Sequence, residues 1–209
     1  MEISQIISQS KEIQDWIVEK RRTIHRNPEL MYEEFETSKL VQNTLEDLDI
    51  PFEKDIAVTG VVGTIGNGED PCIALRADMD ALPIHEQADV EFRSEIDGKM
   101  HACGHDCHTA MLLGAARVLK KNESSIEGTI KLIFQPAEEG GAGGKMMKEQ
   151  GVLEKPKVQQ IYALHVAGTM PMGTLSSKEG TLLAATSSIK IVVSGKGGHA
   201  AAPHHTIDP

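Results

Sequence analysis

Two short motifs and a lone histidine carry the side chains best suited to chemistry in this sequence. The motif at 101–108 reads HACGHDCH, and the motif at 135–141 reads QPAEEGG. Between them and the lone histidine they supply a thiol, two imidazoles and two carboxylates: Cys103, His105, Glu138, Glu139 and His165. Divalent transition metals take these three ligand types. The set therefore predicts a metal site.

The adjacent glutamates indicate what such a site would do. Glu138 and Glu139 follow an apolar strand-like run and a rigid Gln-Pro pair, and a glycine-rich segment comes next. One carboxylate can bind metal and stay ionised there. Its neighbour can take a proton from the attacking water and later give it to a leaving amine. An acidic pair can also be merely solvated, but this position favours metal-assisted hydrolysis.

The Cys103–His105 pair admits other interpretations. One intervening residue is too few for both to share a helix face, although a turn before a helix could aim both at one ion. The alternatives are a buried cysteine beside a capping histidine, a structural zinc site with Cys107 and His108, or a thiolate nucleophile beside His101 or His105. A structural site lacks a second Cys/His pair here, and a thiolate nucleophile does not need two glutamates. A catalytic metal is therefore favoured.

Two aspartates follow the apolar run that ends near Ala77. Extended chain would point Asp78 and Asp80 to the same side. Either carboxylate could orient a histidine ligand from behind the metal. For Asp78, a salt bridge with Arg76 is an equal alternative.

The elements that must position these residues follow from apolar spacing. Helices are expected at 13–24, 37–48, 111–119 and 144–150, and strands at 58–65, 72–77, 129–134 and 161–166. The motif residues fall repeatedly at carboxyl ends of strands, where open α/β sheets place their sites. The pattern predicts an α/β fold with a mostly parallel sheet and helices on both faces.

Composition limits the partners and the compartment. The 209 residues carry a net charge of -10, which argues against nucleic acid and anionic membranes as partners. No run reaches the roughly 18 apolar residues of a membrane span, and no secretory signal is visible. Three cysteines give no disulfide framework. A cytoplasmic location is expected, with an organelle left open.

The chain changes character after Thr186. The segment 188–194 is rich in Ile and Val, and the loop 195–199 with its three glycines follows. This pattern is typical of the first strand and loop of a second domain. We therefore expect a catalytic metal-binding domain at 1–185 and the beginning of another domain at 186–209.

Five stretches give the chain a family resemblance: RRTIHRNPEL at 21–30, LRADMDALPI at 75–84, MHACGHD at 100–106, FQPAEE at 134–139 and GGHA at 197–200. With these motifs the chain resembles the amidohydrolase branch of the aminoacylase and glutamate-carboxypeptidase-like metallopeptidases. That branch includes auxin-conjugate hydrolases, hippurate hydrolases and N-acetyl-diaminopimelate deacetylases.

The resemblance implies a fold and a site. The fold is an α/β/α sandwich catalytic domain that holds two divalent metal ions, which could be Zn, Ni or Mn. The residues at the family's ligand positions are Cys103, His105, Glu139 and His165. Glu138 stands at the position of the general base, and Asp80 at that of an aspartate behind the metals.

The resemblance also implies a lid. A smaller α+β domain, inserted after about Ala185, serves as lid and dimer surface in the family. His199 matches a lid histidine that polarises the scissile carbonyl. Family members are far longer than this chain, so the rest of the lid and a final metal-binding histidine would lie beyond Pro209, and the chain is expected to be truncated.

The implied activity is hydrolysis of the amide bond between an acyl group and an amino acid. The expected partners are a small N-acyl amino acid and a second copy of the protein, bound through the lid. Two alternatives remain. The protein could be a dipeptidase or carboxypeptidase of the same family, or this chain could be an inactive, truncated metal-binding fragment.

Overall fold

The computed structural model describes residues 2–184 and 189–209. The chain divides into two compact units, Met1–Gly168 and Thr169–Pro209. The first unit contains five α-helices, one short 3-10 helix (Glu123–Ser125) and five strands among its described residues. The helices are α1 (Ile3–Glu12), α2 (Gln14–Arg26), α3 (Phe35–Asp47), α4 (His105–Lys121) and α5 (Gly143–Glu149). The strands are β1 (Phe52–Ile56), β2 (Gly60–Gly66), β3 (Cys72–Asp78), β4 (Thr129–Gln135) and β5 (Val158–Ala163).

The strands form one mixed sheet in the order β1-β2-β4-β3-β5. Strand β3 runs parallel to β4 and β5, whereas β2 is antiparallel to both β1 and β4. The expectation of a mostly parallel sheet is therefore wrong for two of its four strand pairs, β2–β4 and β1–β2. Strands β1 and β2 follow each other directly along the chain. The short connection 57–59 joins these two strands as a hairpin, and a tight hairpin can only pair strands antiparallel.

Helices cover both faces of this sheet, as predicted for an α/β fold. On one face, Val41 of α3 and Leu113 of α4 pack with Phe134 of β4 in the larger core cluster. On the other face, Met147 of α5 packs with Ile133 of the same strand. Because side chains alternate along a strand, β4 contributes to both layers, and both must be filled for the sheet to be stable.

Several boundaries differ from those expected. Helix α1 and strand β1 were not predicted, because α1 is mostly exposed and polar and β1 has three exposed polar residues at its centre. Helix α4 begins at His105 rather than at Met111. Strand β5 ends at Ala163, so His165 lies past the strand and not within it.

In the second unit, residues 189–194 adopt no strand within the described ranges, contrary to expectation. An isolated bridge joins Lys196 and Ile207, whose backbones exchange hydrogen bonds of 2.8 and 3.0 Å. The boundary expected between 185 and 186 falls outside the described residues, so the division into domains stays a prediction. No helix in the described ranges combines the length and apolar character needed to cross a bilayer.

Candidate metal centre

The candidate site lies where three neighbouring strands end. Strands β3, β4 and β5 are parallel, so their carboxyl ends lie at one edge of the sheet. Asp80 follows β3, the glutamate pair follows β4, and His165 follows β5. Helix α4 begins at the same edge, and Gly104 precedes it in the left-handed region at φ 84°.

His105 is at the centre of this cluster. Its Nε2 lies 3.8 Å from Glu139 Oε1 and 3.9 Å from Glu138 Oε2. Donor atoms of Cys103, His105 and His165 also lie within 4.8 Å of one another. The structure thus brings together all five side chains that the sequence singles out, in two overlapping groups that share His105.

Unpartnered polar atoms show that these residues fit a cation. His105 Nε2 and Glu139 Oε1 are buried and have no hydrogen-bond partner in the described part of the chain. A buried polar atom without a partner is costly. Both atoms face the cluster, and a divalent ion would satisfy an imidazole nitrogen and a carboxylate oxygen together. The donor set, with one thiol among nitrogen and oxygen ligands, suits a borderline metal.

The ring orientations of the two histidines also fit a metal. His165 Nδ1 donates to the carbonyl oxygen of Val166 at 2.8 Å, which leaves Nε2 to face Cys103 Sγ at 3.3 Å. His105 Nδ1 faces Asp80 Oδ1 at 3.3 Å and leaves its Nε2 free. A hydrogen bond on one ring nitrogen fixes which nitrogen is left to bind a metal.

Asp80 joins two parts of the site. Its Oδ1 accepts the backbone N–H of Glu138 at 3.0 Å, and its Oδ2 accepts that of Glu139 at 2.9 Å. The same carboxylate holds the ring of His105. Burial alone would raise the pKa of Asp80, but the His105 contact and the two N–H groups outweigh it and lower the pKa. Asp80 therefore stays ionised and positions both glutamates.

Glu34 supports the same turn, a role that no motif in the sequence indicates. This fully buried carboxylate accepts the backbone N–H of Ala137 at 2.8 Å and the hydroxyl of Thr59 at 2.5 Å. Ala137 has a positive φ of 52°, which a non-glycine residue rarely adopts. Burial raises the pKa of Glu34. The contact joins residues far apart in the chain, so no local pattern reveals it.

Negative charge dominates the cluster. Burial lowers the pKa of His105, but the hydrogen bond to Asp80 and the nearby carboxylates outweigh this and raise it. Burial and the neighbouring Glu139 raise the pKa of the Cys103 thiol to about 12. Without a cation the thiol thus stays protonated, which counts against a thiolate nucleophile. A bound divalent ion would reverse this, because it favours the thiolate.

The two glutamates differ in exposure. The side chain of Glu138 is 43% exposed and that of Glu139 is 22% exposed. Of these two glutamates, Glu139 alone has a buried oxygen without a partner among the described atoms. The pair is thus asymmetric, as the sequence-based division of labour requires.

Comparison with known proteins identifies the family. Residues 74–207, well over half of the chain, match the family model of peptidase family M20/M25/M40. The chain belongs to this family. The resemblance inferred from the motifs is therefore confirmed, and so is the α/β catalytic fold.

The chain is also similar to two longer proteins. The chain is 56% identical over 195 residues to IAA-amino acid hydrolase ILR1-like 5 of Arabidopsis thaliana, covering 93% of this chain and 44% of that protein. It is 54% identical over 203 residues to thermostable carboxypeptidase 2 of Saccharolobus solfataricus, covering 95% and 51%. The chain thus spans about half the length of these relatives.

One solved structure with a similar fold is described as a metal-binding protein. The Bacillus subtilis YXEP protein, described as a dinuclear metal-binding peptidase from the M20 family, superposes with a TM-score of 0.76 at 42% identity. The match covers 81% of this chain and 47% of that chain. In the present M20 chain, His105 belongs to both overlapping donor groups, and the clustered residues can hold two ions.

The described residues do not assemble the alternative zinc site. Among the described residues, no metal-like group joins Cys107 and His108 to Cys103, and the cysteines are free. Burial raises the pKa of the Cys107 thiol. In this M20 chain Cys107 is therefore a free, half-buried cysteine close in sequence to the proposed ligands.

His199 lies in the second unit, Thr169–Pro209. There it is exposed, and its Nδ1 accepts the backbone N–H of Ala201 at 3.1 Å. Its expected role at the scissile carbonyl stays a prediction.

A second buried polar cluster went unnoticed in the sequence. His25 Nδ1 faces Asp106 Oδ2 at 2.8 Å, and His25 Nε2 faces Glu86 Oε1 at 3.0 Å. Arg21 reaches the same Asp106 oxygen at 2.6 Å. The cluster ties helix α2 to the first turn of α4, directly behind His105. Because its members come from three separate segments, spacing along the chain could not predict it.

Proposed function

We propose that the protein hydrolyses the amide bond of N-acyl amino acids and releases a carboxylic acid and an amino acid. The asymmetric glutamate pair is the observation that carries this proposal. Glu139 offers a buried oxygen without a partner, whereas Glu138 is more exposed and lies beside the same imidazole. The similarity to an IAA-amino acid hydrolase supports the acyl amino acid as substrate.

The residues divide the work as follows. Cys103, His105, Glu139 and His165 would hold the divalent ions, whose identity among Zn, Ni and Mn is open. When bound, such ions supply Lewis-acid polarisation of the carbonyl and ease ionisation of the attacking water. Glu138 would accept the proton of that water and deliver it to the leaving nitrogen. Asp80 would keep His105 and both glutamates in place.

The lid functions belong to the same proposal. His199 would contact the carbonyl oxygen, and the protein would form a homodimer through the domain that begins near 186. Exposed apolar side chains in this segment support the proposal that another protein surface covers them: Ile189, Ile191, Val192 and Val193. We also propose a reducing, cytoplasmic setting, which the three free cysteines support.

The test is turnover by the full-length protein on N-acetyl, N-benzoyl and indoleacetyl amino acids, with Glu138→Gln beside it. Loss of a general base costs about 10²–10⁴-fold in rate. We expect a loss of this size in kcat with metal content unchanged. Glu149→Gln, on the exposed Lys145–Glu149 pair of α5, should keep full activity. Unchanged turnover in Glu138→Gln would refute the proposed role.

A second candidate is carboxypeptidase activity, because a thermostable carboxypeptidase is nearly as similar. The two activities use the same glutamates and differ only in what lies on the acyl side of the scissile bond. Dipeptides and N-blocked dipeptides in the same panel separate them. Faster turnover of peptides than of N-acyl amino acids would favour the peptidase.

A further inference from the structure

His108 lies in the first turns of α4 and is buried between two partners. Its Nδ1 lies 2.6 Å from Asp78 Oδ1. Its Nε2 accepts the backbone N–H of Val166 at 3.0 Å. The ring therefore connects the end of β3 to the segment that follows β5.

The Val166 contact determines which ring nitrogen of His108 carries the proton. A backbone N–H can only donate, so His108 Nε2 must carry a lone pair. The proton then sits on Nδ1 and points at Asp78. Asp78 also receives the guanidinium of Arg76 at 2.6 Å. Arg76 takes Oδ2 of Asp78, and Oδ1 is left to accept from His108.

Val166 in turn holds His165. The Val166 carbonyl oxygen accepts the Nδ1 proton of His165 at 2.8 Å. Its side chain packs against Gly104, where an added Cβ would overlap Val166 Cγ2. The backbone of Val166 is thus held by its N–H and its side chain, while its carbonyl orients the His165 ring toward Cys103.

A role for His108 as a metal ligand fits less well. Asp78, His105 and His108 do form a buried group with metal-like spacing. Both ring nitrogens of His108 already have partners, however, and both oxygens of Asp78 are used by His108 and Arg76. In contrast to His105 Nε2, no donor atom of this pair is left without a partner in the described chain.

We propose that His108 is a positioning residue. Oriented by Asp78, it holds the N–H of Val166 and so keeps His165 Nε2 facing the metal centre. The inference rests on the proposed function only in taking His165 as a ligand. It predicts that an acceptor at the Nε2 position of residue 108 is what matters, and not the imidazole itself.

Two substitutions at position 108 test whether the acceptor or the imidazole itself is needed. Gln at 108 can place its Oε1 near the former Nε2 and still accept the Val166 N–H. Asn can donate to Asp78 but is too short to reach Val166. We expect His108→Asn to weaken Zn²⁺ or Mn²⁺ binding, measured by chelator competition, by about 10–100-fold. His108→Gln should stay within about threefold of the parent protein. His85→Asn, in an exposed His–Asp pair, is the control.

A second readout does not need a folded variant. Long-range ¹H–¹⁵N spectra of the metal-free parent protein should show that His108 carries its ring proton on Nδ1, the nitrogen that faces Asp78. A ring of His108 protonated on Nε2 would overturn the inference, as would equal metal affinity in the Asn and Gln variants. Neither measurement uses catalysis. An inactive protein that passes both would contradict the proposed function and leave the role of His108 standing.

Discussion

Asp80 Oδ2 accepts the backbone N–H of Glu139 at 2.9 Å. The neighbouring oxygen of the same carboxylate accepts the N–H of Glu138 and contacts the ring of His105. A single side chain thus sets the backbone of the glutamate pair and the orientation of the imidazole between them. The site is therefore organised by a buried carboxylate.

Asp80→Asn should therefore weaken metal binding. The Asn amide nitrogen cannot accept, so at least one donor among the N–H groups of Glu138, Glu139 and His105 would lose its partner. We expect a fall in Zn²⁺ affinity of about 10–100-fold, the usual cost of losing such a supporting carboxylate. Chelator competition measures it, with Asp97→Asn on the exposed His85–Asp97 pair as the control. Equal affinity in both variants would contradict the role of Asp80.

Glu34 should be needed for its acceptor oxygens rather than for its charge. Glu34→Ala leaves the buried N–H of Ala137 without a partner, which costs about 1–3 kcal/mol. In Glu34→Gln, the amide oxygen can accept from Ala137 and the amide nitrogen can donate to the Thr59 hydroxyl. Urea unfolding should therefore show a clear loss of stability for the Ala variant and a much smaller one for the Gln variant.

The exposed neighbour Glu33, which pairs with Lys99 at 3.4 Å, provides the matched control. Glu33→Ala should change the free energy of unfolding by less than about 0.5 kcal/mol. If it destabilises as much as Glu34→Ala, the loss does not come from the Ala137 contact.

His25 should make stability depend on pH. The hydrogen bond to Asp106 raises its pKa from 6.5, opposed by burial and by the Arg21 charge and assisted by Glu86. A raised pKa in the folded state means that this contribution is complete below pH 6.5 and is lost as pH rises through the folded pKa. The free energy of unfolding should fall over that interval.

The test is the pH profile of urea unfolding for His25→Gln. This variant should be less stable near neutral pH, and its decline above pH 6.5 should be shallower. His85→Gln removes an exposed histidine that also faces a carboxylate and should leave the profile unchanged. If the pH profile of His25→Gln runs parallel to that of the parent protein, the pH dependence comes from another group and not from His25.

Gly104 should tolerate alanine poorly because of Val166. Gly104 and Gly68 have similar positive φ values, 84° and 80°, so alanine meets similar backbone strain at both. An added Cβ meets Val166 at position 104, but nothing lies within 4 Å at position 68. Gly104→Ala should therefore lower the melting temperature more than Gly68→Ala and should also weaken metal binding. Equal effects would mean that the Val166 contact is unimportant.

The sequence predicted the parts of this fold that local pattern determines. The apolar runs at 72–77 and 129–134 became β3 and β4, and the helical spacing at 13–24 and 37–48 became α2 and α3. The motif residues were expected at one edge of the sheet because parallel strands end together, and the structure brings them to that edge.

The parts that were missed depend on contacts distant in the chain. Strand β1 has a polar sequence and is a strand because it pairs with β2. Glu34 contacts Ala137 across 103 residues, and His25 contacts Asp106 across 81. Side-chain types and spacing cannot reveal such pairs. His108 was visible in the motif, but only its two partners show what the ring does.

The position of β5 affects the order in which the proposed ligands of this chain come together. Among the described residues, strand β5 comes after the other four strands of the sheet along the chain and pairs with β3. A chain emerging from the ribosome presents Cys103, His105 and both glutamates before the segment with His165 exists. The four ligands proposed within this chain therefore come together only when β5 pairs with β3, and an ion bound earlier would lack the imidazole of His165 until synthesis had passed residue 165.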